Sequence, residues 1–148
     1  MKKIFLILMI VFSIPCFATD RIIGYERFKE IYAEKDRISC YSPSDLEALY
    51  NQNSIKFKKD FENNVIRIAG YVKRVRNGFF NEYIVELDNP NSFFDLNVVY
   101  PSSITKAKID DLANLTVGDF FSALVIARDD LYVDVLCYEL NGKTRTEL

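Results

Sequence analysis

The chain has 148 residues, 49% apolar and 14% aromatic, with 12 Phe, 9 Tyr and no Trp; that is enough for one domain with a real core and rules out a disordered tail. Its formal charge of −2, from 19 basic and 21 acidic residues, argues against a broad polyphosphate-binding surface. No histidine is present, which removes histidine-based acid or base chemistry, histidine triads and most zinc and copper sites.

The first 18 residues read as a secretory signal peptide. Lys2 and Lys3 precede an apolar run from Ile4 to Ile14, and Cys16 and Ala18 place small residues at the positions a peptidase cutting after Ala18 requires. The run is too short for a settled membrane span, so no stable span is expected once the leader is removed. A rival reading makes Cys16 a lipid-modified first residue, but Pro15 is a poor approach to such a site. The expected location is therefore periplasmic or secreted. Cleavage removes two basic residues and no acidic ones, taking the net charge to −4.

Residues 19–42 read as an N-terminal helical extension, with Ile22, Ile23, Tyr25, Phe28, Ile31 and Tyr32 spaced for an amphipathic helix from Tyr25 to Glu34. Residues 43–148 form the main domain. Ser42 as N-cap, Pro43 at the first helical position and Asp45 three residues after the cap open a second helix, predicted to run to about Lys59. Its face carries Leu46, Leu49, Tyr50, Asn53 and Phe57, and Phe61 with Glu62, Asn63 and Asn64 closes it.

At Val65 the period changes to alternation. Ile66, Ile68, Gly70 and Val72 share one face of a strand, with Gly70 a natural place for a bulge or sharp coil. Asn77-Gly78 signals a two-residue hairpin turn, and the return strand is predicted from Phe79 to Leu87 with Phe79 and Tyr83 entering the core. After the turn residues Asp88 to Ser92, a third strand alternates Phe94, Leu96, Val98 and Tyr100 with Phe93, Asp95, Asn97 and Val99 until Pro101. A short helix follows over Ser102 to Leu115, with Ser103 as its cap. Strands four and five are predicted at Phe120 to Ala127 and Leu131 to Leu140, joined by Arg128, Asp129 and Asp130, with a polar tail from Asn141.

Five short strands with a helix between the third and fourth is the order of the OB-fold, a Greek-key barrel, here expected to be all-antiparallel and mainly β, with two N-terminal helices. An open antiparallel sheet with helices on one face is the alternative. The chain also resembles the tRNA-anti-like family of exported bacterial OB-fold proteins. The resemblance rests on Tyr50, Asn53, Phe61, the Val65 to Val72 strand with Gly70, Val85-Glu86-Leu87, Leu112, Leu115, Gly118-Asp119 and Cys137, and spans about residues 44 to 140. It departs at Val125 and before Ser42. These positions are fold-forming, so the nucleic-acid binding that the family name implies is an analogy of fold.

In OB-folds ligands cross strands two and three, held by the strand one-two and four-five loops. That geometry nominates Arg74, Arg76, Phe80, Ile84, Phe93 and Asn97 as ligand-contacting residues, with Phe80 and Arg76 able to stack on a base or sugar. The same face carries Glu82, Glu86, Asp88 and Asp95, four carboxylates that repel phosphates. The sequence therefore favours a protein or small cationic ligand over a single-stranded nucleic acid. No nucleophile motif, phosphate loop or metal-ligand spacing is present, and adjacent acids such as Asp110-Asp111 lack the pattern of a calcium loop. A non-enzymatic binding module without metal or cofactor is expected. Cys40 and Cys137 remain after leader removal. In an oxidising compartment they either pair, closing a loop worth up to about 4 to 5 kcal/mol by chain entropy, or stay as separate packed thiols.

Overall fold

A computed structural model describes residues 22–146 apart from 63, 91, 94, 129–131 and 142. The predicted leader with Cys16 and Ala18, the turn residues Asn63 and Asn91, Phe94, and Asp129 to Leu131 fall outside the described residues.

The chain starts with a short strand β1 (Ile22–Gly24) and helix α1 (Tyr25–Ala33), followed by β2 (Cys40–Tyr41) and α2 (Pro43–Gln52). The capping box at α2 is complete: the Ser42 hydroxyl accepts from Asp45 N at 3.1 Å and the Asp45 carboxylate accepts from Ser42 N at 2.9 Å. The predicted single helix to Lys59 is two helices. Asn53 is extended (φ −164, ψ 96) and its side chain accepts from Lys56 N at 2.9 Å, capping α3 (Ser54–Phe61). An Asn-Ser pair supplies a second start signal, and an N-cap needs non-helical dihedrals, so the break falls there.

The barrel strands are β3 (Val65–Asn77), β4 (Tyr83–Leu87), β5 (Leu96–Tyr100), β6 (Phe120–Ala127) and β7 (Tyr132–Val135), with α4 (Lys106–Ala113) between β5 and β6. They hydrogen-bond in the order β3-β4-β5-β7-β6, and β6 returns to β3. This closed five-stranded barrel with its helix after the third strand is an OB-fold. It is not all-antiparallel: β5 and β7 pair in parallel, Val98 opposite Val133, because strand five is inserted beside strand three to close the cylinder.

β3 serves both halves of the barrel, pairing with β6 over Val65 to Tyr71 and with β4 from Val72 to Asn77. The irregularity that bends it lies between Val72 and Arg74, at Lys73, and not at Gly70. Gly70 is required for close approach instead. A Cβ there would lie 3.2 and 3.3 Å from the Pro43 ring and 3.4 Å from Leu87 Cδ1, so its absence lets the first turn of α2 seat against the barrel. At the start of β6, Gly118 has φ +90, a left-handed conformation suited to glycine, and donates to Val72 O at 2.7 Å.

The inward phases of the strands, with Ile68, Val72, Val85, Leu96, Val98 and Val125, form one core that also takes Leu46 and Phe57 from the N-terminal helices and Leu112 from α4. Ser103 is not the cap of α4; Thr105 is, accepting from Lys108 N at 3.3 Å. The predicted fifth strand divides at Leu136 into β7 and β8 (Cys137–Leu140), and the predicted polar tail contains β9 (Lys143–Thr146). β8 lies between β1, which it pairs in parallel, and β9 in a separate three-stranded sheet. Phe28 of α1 joins Leu124, Leu136 and Tyr138 in a second core on the outside of β6.

Cys40 and Cys137 are not bridged to each other. Cys40 is an exposed free thiol, whereas Cys137 is buried with its thiol directed to Val135 O at 3.2 Å. β2 pairs with β3, β3 with β6, and Leu136 N with Leu124 O of β6. Cys40 and Cys137 thus stand about three strand spacings apart, roughly 14 Å, and a disulfide tolerates no more than about 7 Å between Cα atoms.

Candidate functional site

The first hairpin builds the face that OB-folds use. β3 continues to Asn77, which pairs with Tyr83, so the connection is the five-residue loop Gly78 to Glu82 and not a two-residue turn. Gly78 N donates to Glu82 O at 2.7 Å, and Asn81 takes the left-handed conformation (φ 60) that reverses the chain. This longer loop takes Phe79 and Phe80 out of the strand. Phe79, expected in the core, is fully exposed, and Phe80 is 81% exposed.

Below the loop, cross-strand pairing sets Arg74 opposite Glu86 and Arg76 opposite Ile84, then Glu86 opposite Asn97 and Ile84 opposite Val99. Glu86 is the centre of this face. Arg74 Nε and Nη2 donate to its two oxygens at 2.9 and 3.0 Å, and Arg76 Nε donates to Oε1, while the carboxylate side chain is only 6% exposed. Burial pushes the Glu86 carboxyl up, but the two arginine hydrogen bonds and charges outweigh it and hold it below the usual carboxylate range. Arg76 Nη2 also reaches Asn97 Oδ1 at 3.4 Å. Beside them Lys73 Nζ donates to Asp95 Oδ2 at 2.6 Å; that bond, with the charges of Asp95, Asp88 and Glu86, raises the Lys73 pKa.

The structure brings Arg74, Arg76, Ile84 and Asn97 together on one face, with Phe80 at its loop end. Ile84 is buried (5% exposed), so it forms part of the floor and is not a surface contact. Phe93 is fully exposed, but it belongs to the β4–β5 connection, at the end of the hairpin opposite Phe80. The two aromatics are separated by the length of β4, roughly 15 Å at the rise of an extended strand. Three further cations are engaged by other carboxylates: Lys56 pairs with Asp60, Lys58 with Glu62 at 3.9 Å and Arg67 with Asp36 at 3.8 Å. Of the acidic pairs, Asp110 and Asp111 lie on α4, where Asp111 meets Lys108 at 3.7 Å. Among the described residues no group of three or more acidic or sulfur side chains could hold a metal ion.

Sequence reasoning missed one cross-strand feature. Tyr71 and Phe120 sit opposite each other and remain exposed, signalled only by Tyr71 standing out of phase with Val72.

No family model and no curated protein matches this chain. Solved structures similar to it include a lipoprotein of Klebsiella pneumoniae to which nucleic-acid binding has been ascribed, 14% identical with a TM-score of 0.46, covering 72% of this chain and 86% of that one. The telomere capping protein Ten1 from Saccharomyces pombe is 15% identical with a TM-score of 0.42, covering 67% of this chain and 76% of that one. Aspartyl tRNA synthetase from Entamoeba histolytica is 10% identical with a TM-score of 0.44, covering 77% of this chain but only 22% of the enzyme.

Proposed function

We propose that this is an exported, non-enzymatic OB-fold binding module whose β4–β5 face and β3–β4 loop recognise a protein partner. The observation that carries this reading is the state of Glu86: a nearly buried carboxylate that engages both arginines of the face. Lys73 is bonded to Asp95 in the same way. Phosphate binding draws its affinity from cations that release counterions, and cations held by carboxylates contribute little of it. Protein recognition asks for apolar anchors over a polar, internally satisfied floor, and the exposed Phe79 and Phe80 above the paired arginines supply that combination. Export rests on the leader pattern of residues 1–18.

The second reading, single-stranded nucleic acid stacked on Phe80 beside Arg76, is separated by titration of labelled single strands at several salt concentrations. Weak binding at every salt concentration is expected. Binding that is tight at about 50 mM salt and falls by orders of magnitude by about 200 mM would overturn the protein-partner reading. A complementary capture from a periplasmic extract compares the natural chain with a Phe79→Ser, Phe80→Ser variant; a partner retained equally by both removes the loop from the interface.

A further inference from the structure

The β3–β6 ladder ends at the pair Tyr71 and Phe120, both pointing outward. Their rings meet edge to face, with centroids 5.6 Å apart and planes at 72°, yet Tyr71 stays 61% and Phe120 66% exposed. Backbone pairing fixes both residues: Tyr71 O accepts from Asp88 N at 2.8 Å, and Val72 N donates to Asp119 O at 2.9 Å. The result is a rigid two-walled aromatic corner that the closed barrel does not use for its own packing.

The charge around this corner is acidic. Asp88 is exposed and hydrogen-bonded through its backbone to Tyr71; Asp119 immediately precedes Phe120, with its carboxylate accepting from Thr116 N at 2.7 Å. Lys73, the nearest cation along β3, is already bonded to Asp95 at 2.6 Å. Asp88 and Asp119 thus stand next to the two rings while the nearest ammonium group is held by a third carboxylate. Elsewhere cations of the chain stand over tyrosine rings: Lys29 over the exposed Tyr25 at 5.4 Å and Lys35 over the half-buried Tyr32 at 3.9 Å. Among the described residues no lysine or arginine stands over Tyr71 or Phe120.

We propose that the Tyr71–Phe120 corner is a binding site for a free organic cation of the quaternary ammonium class. Aromatic faces attract a cation through their quadrupole, and they favour a weakly hydrated ammonium that has no hydrogen bonds to lose. The neighbouring carboxylates add long-range attraction for a positive charge and oppose a ligand's own phosphate or carboxylate, which disfavours a zwitterionic lipid headgroup relative to a free cation. Two walls, and not a closed cage, set the affinity in the millimolar range. The inference stands apart from the protein-partner reading, because it uses none of Arg74, Arg76, Glu86, Phe79 or Phe80.

The test is an NMR titration of the chain with choline chloride, with the neutral isostere 3,3-dimethyl-1-butanol and with phosphocholine. Choline is expected to shift the Tyr71 and Phe120 resonances saturably, with the alcohol and phosphocholine at least about tenfold weaker. Phe120→Ala abolishes the effect and Phe120→Tyr keeps it; the position is exposed, and amide dispersion verifies that both variants stay folded. Equal shifts from choline and the alcohol would reduce the corner to a plain apolar patch. Absence of saturable shifts, or choline shifts that survive Phe120→Ala, would overturn the site. The Phe79→Ser, Phe80→Ser variant, altered only in the exposed β3–β4 loop, leaves choline binding unchanged, so failure here and failure of the protein-partner reading are separately visible.

Discussion

Replacing Gly70 by Ala tests how the leading helix is docked on the barrel. The backbone at Gly70 is extended within β3 and accepts any residue, so the whole effect lies in what the new methyl group meets. It would stand 3.2 and 3.3 Å from two carbons of the Pro43 ring and 3.4 Å from Leu87 Cδ1. Pro43 is a stiff ring locked at the first helical position of α2, and Leu87 is wholly buried, so neither neighbour can swing away. Inserting one methyl group into packed surroundings costs about 1 to 3 kcal/mol, and the reduced freedom of the unfolded chain returns about 0.4 to 1 kcal/mol. Because both neighbours are held, the cost lies in the upper part of its range, about 2 to 3 kcal/mol, and the net expectation is a loss of about 1 to 2.5 kcal/mol, a fall in Tm of about 3 to 10 °C. Thermal unfolding by circular dichroism measures it, with Gly24→Ala as comparison, since nothing lies within 4 Å of a Cβ at that position. In a Pro43→Ala background the penalty shrinks by about 0.5 kcal/mol or more, because the ring is gone. A neutral or stabilising Gly70→Ala, or a penalty identical in both backgrounds, refutes the close-approach argument.

The pH dependence of stability follows from Glu86. Its folded pKa is depressed, so it stabilises the protein above its ordinary value of 4.5 and that contribution is lost as pH falls through the lower folded value. Glu86→Gln should therefore show a flatter decline of urea midpoint below about pH 5 than the natural chain, and parallel declines would contradict the assignment. Asn53→Ala removes the cap of α3 and is expected to cost about 1 kcal/mol in urea unfolding, with Asn53→Asp close to neutral. Replacing Phe79 by Ser should change stability by less than about 0.5 kcal/mol, as for surface positions generally, whereas a core phenylalanine would cost several times more. Under native conditions iodoacetamide should modify Cys40 and spare Cys137 until the chain is unfolded; joint protection of both from alkylation would indicate the bridge that the geometry lacks.

Most of the barrel was legible because its strands declare themselves by local chemistry. β6 matches the predicted Phe120 to Ala127 throughout, since Gly118-Asp119 starts it. The capping box of α2 was equally plain in Ser42, Pro43 and Asp45. The errors arise where one local signal had two outcomes. Asn77-Gly78 fits a two-residue turn, but here the ladder stops at Tyr83 and both phenylalanines are released into solvent. The stretch from Val133 to Tyr138, apolar except for Asp134, reads as one strand because its residues serve two cores, Val133 and Val135 the barrel and Leu136 and Tyr138 the outer cluster. Periodicity cannot show a change of partner when both sides are apolar. At the candidate face the sequence shows four carboxylates with Arg74 and Arg76 near enough to balance acids, and register supplies the partners: Glu86 for Arg74 and Arg76, Asp95 for Lys73.

That register also decides which barrel surfaces are open to recognition. The outside of β6 carries Leu124 and Ile126, an apolar stripe that would be a liability in water. α1 covers it with Phe28 and Ile31, while β8 contributes Tyr138. Fully burying a phenylalanine contributes about 1.5 to 3 kcal/mol, so residues from Ile23 onward are part of the folded unit and not a detachable arm. β2 likewise shields β3 at Arg67 and Ile68, the stretch where an incoming strand could otherwise add. Besides Phe93 in the β4–β5 connection, the barrel keeps exposed aromatics at the β3–β4 loop above paired charges and at the Tyr71–Phe120 corner beside Asp88 and Asp119. They differ in electrostatics although β3 supplies both. The bulge at Lys73 lies between them, turning Arg74 and Arg76 toward Glu86 and leaving Tyr71 to face Phe120. One irregularity in one strand is what separates the face where arginines meet Glu86 from the corner where Tyr71 meets Phe120.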